Sequence, residues 1–68
     1  MKFPIWTVYQ YPEDYPGKFV ARCFDLDKPT VAVIVADGLE DLRSLLPKGL
    51  VRLERNELDD PVILETWL

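Results

Sequence analysis

Hydrophobic and polar side chains exchange places along this chain with two periods, and each change of period marks a predicted element. Ile5 to Gln10, IWTVYQ, is rich in β-branched and aromatic residues. It reads as a strand, because such side chains fit a pleated, half-buried surface. A period of two puts Trp6 and Val8 on one face and Ile5, Thr7 and Tyr9 on the other. Lys18 to Phe24, KFVARCF, reads as a second strand. Phe19, Ala21 and Cys23 point one way, while Val20 and Phe24 flank Arg22 on the opposite side. Asp25 to Thr30 supplies turn residues. Thr30 to Ala36, TVAVIVA, is the most apolar segment, and its length and β-branching predict a third strand rather than a helix.

The period then lengthens. Asp37-Gly38-Leu39-Glu40 has the spacing of a capping box with aspartate as the cap. Leu39, Leu42, Leu45 and Leu46 follow as the apolar face of a short helix of about nine residues. Pro47 cannot continue it, and Gly49 suits the left-handed residue that often follows a helix end. Leu50 to Arg55 predicts a fourth strand, with Val51 and Leu53 opposite Arg52 and Glu54. Asn56 to Pro61 reads as a loop. Val62 to Trp67 predicts a fifth strand, with Val62 and Leu64 on one face and Ile63, Glu65 and Trp67 on the other. The order is βββαββ. The expected fold is a single small α+β domain over residues 1–68, with one mainly antiparallel five-stranded sheet and one short helix.

One such helix covers only part of one sheet face, since a helix is about 10–12 Å wide and strands lie about 4.8 Å apart. The other face should then be polar, yet TVAVIVA is apolar on both sides, as a doubly buried strand would be. One expectation is that this second face, with some of Trp6, Val8, Ile34, Ile63 and Trp67, packs on another chain, most simply a second copy. The other is that Ala32 and Ala36 leave only a shallow patch overlaid by loops, which is ordinary on a monomer.

The connection YPEDYPG, Tyr11 to Gly17, is longer than most hairpin loops. Pro12 and Pro16 fix φ, Gly17 can take positive φ, and residues before proline are held extended. A stiff loop loses little entropy on binding, and tyrosine is enriched at interfaces. Tyr11 and Tyr15, with Arg22, therefore form a candidate protein-contact surface. Alternatively the tyrosines fold back and cap one end of the core. Trp6 and Trp67 complete the candidate contact set.

Composition narrows the chemistry. The chain has 68 residues, 49% of them hydrophobic, and a net charge of −4. A domain this small carries only about 3–5 kcal/mol of core stabilisation. An intrachain disulfide is excluded because Cys23 is the only cysteine, and the absence of histidine removes the usual zinc ligands. No metal or other cofactor is expected. The negative charge and the scattered basic residues argue against nucleic-acid binding, which rests on lysine and arginine at phosphates. No apolar run approaches the roughly 20 residues of a membrane span, and Met1-Lys2 leads into no signal-like segment. A membrane partner is not expected, and a cytoplasmic location is. Cys23 has no histidine to activate it, and its apolar neighbours suggest a buried, inert thiol. Ser44 falls within the helix with no base in view. Asp25 and Asp27, and Glu57, Asp59 and Asp60, could hold a cation or perform acid–base work, but turn chemistry accounts for them as well. No enzyme activity is expected.

YPEDYPGKFVAR, LRSLLPKGL and DDPVILETWL together resemble short uncharacterised proteins of bacterial genomes, which implies a bacterial origin. Residues 18–46, with VADGLEDLRSLL opening the helix, also resemble the small domain of HicB-type antitoxins. The chain departs from that family in ending with two further strands and in lacking a separate DNA-binding domain. Three functions remain open. The first is a non-catalytic protein-interaction module that can act as a homodimer. The second is an antitoxin-like or acidic inhibitor of a basic partner. The third is a small-ligand or metal site built on the carboxylates of Asp25, Asp27, Asp59 and Asp60.

Overall fold

The computed structural model describes residues 3–54 and 62–68. The elements run β1 (Pro4–Gln10), β2 (Phe19–Asp25), β3 (Lys28–Ala36), α1 (Leu39–Leu45), β4 (Arg52–Glu54) and β5 (Ile63–Trp67). The strands form one sheet in the order β3-β2-β1-β5-β4, and every pairing is antiparallel. The expected α+β architecture with order βββαββ is therefore present. Sequence neighbours pair directly in β1–β2–β3, as consecutive strands usually do. β5 then returns to the free side of β1 and leaves β3 and β4 at the edges.

The register divides the side chains between two faces. Trp6 lies opposite Cys23 and Trp67, and Val8 opposite Ala21 and Glu65. This face carries the core of Trp6, Val8, Ala21, Cys23, Leu42 and Leu46, with Phe19, Ala32, Ile34, Ala36 and Trp67 packed against it. Helix α1 lies over β2 and β3 on that side. The alternation read from IWTVYQ and KFVARCF thus holds along both strands.

Three local expectations are corrected. The capping box does not form: Gly38, extended at φ −127°, is the N-cap, and no side chain caps the helix. The Asp37 carboxylate instead pairs with the Lys18 ammonium on the neighbouring hairpin. Leu45 is not on the buried face; it is 58% exposed, whereas Leu42 and Leu46 are buried. At about 100° per residue, Leu45 lies some 110° away from the line through Leu39 and Leu46. The helix stops because Pro47 forces Leu46 to an extended ψ of 152°.

The last correction concerns β5. Val8 pairs with Glu65 but Tyr9 pairs with Ile63, so the register shifts by one residue. This bulge turns Ile63 to the face opposite Glu65 and Trp67, and lets Leu64 pack on the core. β4 is shorter than expected, with three exposed residues. The predicted 56–61 loop and its acids Glu57, Asp59 and Asp60 lie outside the described residues.

Candidate functional site

The sheet face opposite α1 is the surface that needs explaining. By register it carries Tyr9 beside Val20 and Val35, and Thr7 beside Arg22, Val33 and Thr66, with Leu53 next to Thr66 on β4. Val20 is fully buried although no helix covers it. Tyr9 and Val35 flank it, and both are only partly shielded. Val33, Val35 and Leu53 remain substantially exposed.

The edge of this face is irregular. Phe24 pairs with Pro29 and Arg22 with Val33, so three residues of β3 stand opposite Cys23 alone. Thr30 stabilises the bulge: its hydroxyl donates to the Cys23 carbonyl at 2.9 Å and accepts from the Ala32 N–H at 3.2 Å. The bulge throws Val31 outward until it is 100% exposed. Bulges of this kind interrupt an edge that would otherwise pair indiscriminately with other strands.

Arg22 stands near the middle of the open face. Its guanidinium carbon lies 5.9 Å from the Tyr9 ring centre, within cation–π range. The same guanidinium pairs with the Asp14 carboxylate, which the YPEDYPG loop brings over the sheet. Burial pushes the Tyr9 phenol above its usual pKa, and the positive charge of Arg22 opposes part of that rise.

The loop itself is built from two successive turns. Tyr15 N–H donates to the Pro12 carbonyl at 3.0 Å, and Lys18 N–H to the Tyr15 carbonyl at 3.2 Å. Pro16 and Gly17, the latter at φ 77°, are the central residues of the second turn. That placement follows the preference of a type II turn for Pro followed by Gly. Tyr11 takes φ 53°, and its ring packs against Phe19 with centroids 5.3 Å apart.

The five candidate contact residues do not share one surface. Arg22 is on the open face. Tyr11 packs beside Phe19 at the loop end, and Tyr15 sits half-buried within the turns. Trp6 lies in the buried core cluster with Leu42 and Leu46, on the helix side of the sheet. Trp67 is its cross-strand neighbour on the same face. Of the residues expected on the second face, Ile63 is there, while Trp6, Val8, Ile34 and Trp67 are on the core side.

A charged group that sequence reasoning passed over sits in the core. Glu65 is 3% exposed. The Arg43 guanidinium grips it with two hydrogen bonds, Nε to Oε2 at 3.1 Å and a terminal nitrogen to Oε1 at 2.6 Å. The Trp67 indole N–H adds a third at 2.5 Å, and Arg52 stands 3.9 Å away. Arg43 also pairs with Glu40 one helical turn back. Burial alone would raise the Glu65 pKa. Hydrogen bonds from Arg43 and Trp67, with the charges of Arg43 and Arg52, outweigh it and hold the carboxyl below its usual range. The cluster clamps α1 to β5, and each of its buried side-chain polar atoms has a partner, so it is a structural device. The alternation of β5 put Glu65 on the face of Trp67, but only the position of α1 reveals its partner.

Cys23 is buried, in keeping with a packing role. Asp25 accepts a hydrogen bond from the Phe3 N–H at 3.1 Å, which ties the start of β1 to the end of β2. Among the described residues, no group of three or more acidic or thiol side chains is placed to hold a metal ion. No helix among them is long and apolar enough to cross a membrane. No family model, curated protein or solved structure matches this chain.

Proposed function

We propose that the protein is a non-catalytic interaction module that binds another protein through the open face of its sheet, with a second copy as its simplest partner. One observation carries this reading. The face has no helix over it, yet it presents Val33, Val35 and Leu53 to water around the Arg22–Tyr9 pair. Apolar side chains clustered beside an arginine stacked on an aromatic ring are the composition of interface centres, where arginine and aromatics are enriched. The Asp14–Arg22 pair keeps the guanidinium oriented before a partner arrives, which lowers the ordering cost of binding. A bacterial origin, which rests on the sequence resemblance, and a cytoplasmic setting belong to the same proposal.

The test is the solution mass by light scattering over a concentration series, for the wild type and for Val33→Lys. A dimer that Val33→Lys converts to a monomer supports the reading. A dimer that survives the substitution would place the interface elsewhere. A wild type that is monomeric at every concentration would remove self-association.

A further inference from the structure

At the end of the sheet away from the YPEDYPG loop, the chain encloses an open pocket of about 340 Å³, lined by Phe3, Pro4, Ile5, Leu26, Leu50 and Leu68. We propose that this pocket is a binding site for an uncharged hydrocarbon group of a small molecule. The inference is independent of the interaction face proposed above.

Four observations converge on it. All six of its lining residues among the described ones are apolar, so they offer no side-chain partner to a sugar, a nucleotide or a charged head. Phe3, Leu26 and Leu68 are each about half exposed, and an occupant would remove their apolar surface from water. The walls are held by the backbone. Leu26 N–H donates to the Phe3 carbonyl at 3.0 Å, and Leu68 and Val51 exchange hydrogen bonds of 3.0 and 2.8 Å. A preformed pocket needs little reorganisation to bind. Finally, Leu26 occupies the first position of the two-residue turn between β2 and β3 at φ 58°, where a hairpin favours glycine or asparagine. A leucine held there against its backbone preference stands as one wall of the pocket, and strained residues gather at ligand sites.

Size and charge define the ligand. A dry cavity of about 150 Å³ accepts benzene, so this pocket has room for a fused pair of rings or a medium-length alkyl chain. The net charge of −4 disfavours anionic amphiphiles and leaves neutral ones.

The probe is the neutral dye N-phenyl-1-naphthylamine, titrated into the whole chain and followed by its fluorescence. Saturable one-to-one binding is expected, displaced by 1-octanol and less effectively by octanoate. Leu26→Gly suits the turn better than leucine, so it should leave the fold intact while weakening the dye at least tenfold. Val33→Lys, on the open face, should leave binding unchanged. Absence of saturable binding would overturn the proposal. So would undiminished binding to Leu26→Gly, or a loss confined to Val33→Lys. That last result would put the dye on the interaction face and would leave that reading standing.

Discussion

Arg43 illustrates how much one side chain can carry in a domain of this size. It satisfies both oxygens of Glu65, which is almost wholly removed from water, and it reaches Glu40 as well. Breaking a buried pair by deleting one partner leaves an uncompensated charge, which typically costs about 3–5 kcal/mol. Trp67 and the more distant Arg52 would still face the carboxylate. Arg43→Ala is therefore expected at the lower end, about 3 kcal/mol, in urea unfolding. Glu65→Met should cost clearly less, because it removes the buried charge and leaves the partly exposed Arg43 with Glu40 and water. Equal losses in the two variants would show that packing, rather than charge, sets the cost.

At the scale of elements, α1 is held by packing and not by its own ends. It has seven residues and no side-chain cap, and isolated helices that short are unstable in water. Leu42 is its anchor, fully buried against the core. Leu42→Ala is expected to cost about 2–5 kcal/mol, as large-to-small changes in a core do. Leu45→Ala should change stability by no more than about 0.5 kcal/mol, since its side chain faces water. Thermal or urea melts of the two variants check both. A comparable loss at Leu45 would mean that the exposed side of the helix is covered in solution. The strands follow the opposite logic. Their faces are set by alternation, and departures occur only where a bulge inserts residues, at Thr30–Ala32 in β3 and at Leu64 in β5.

For the whole molecule, acid is the informative stress. The Glu65 pKa is lowered in the folded state, so the unfolded chain binds its proton more readily. The stability this group contributes is complete above its unfolded pKa of about 4.3. It is lost progressively as the pH falls from there through the lower folded value. The melting temperature is thus expected to hold steady from about pH 7 to 5.5 and to fall below about pH 4.5. Arg43→Ala should flatten that dependence, because it removes the hydrogen bonds and charge that lower the pKa. An acid profile unchanged by Arg43→Ala would assign the sensitivity to other carboxylates. The same scale governs the two proposed surfaces: a sheet with one helix has one face and one end left over, and these are where a partner and a ligand have room.

The sequence by itself determined the order βββαββ, the α+β class and the facing of β1 and β2, because a period of two needs only local geometry to be read. It also placed Cys23 inside, through the apolar neighbours on its strand face, and placed Pro16-Gly17 in a turn. It misread what depends on the third dimension. Asp37 fits a cap in sequence, but folding brings Lys18 within its reach and takes the carboxylate away from the helix end. Trp6 has the look of a contact residue until the fold gathers it into the core cluster with Leu42 and Leu46. Ile63 and Glu65 share a face in a regular strand and part company only at the bulge imposed by pairing with β1. The Glu65–Arg43 clamp, the open face around Arg22 and the pocket beside Leu26 each join residues far apart in the chain. Only the tertiary structure decided them, because alternation tells a side chain which way to point but not what it will meet.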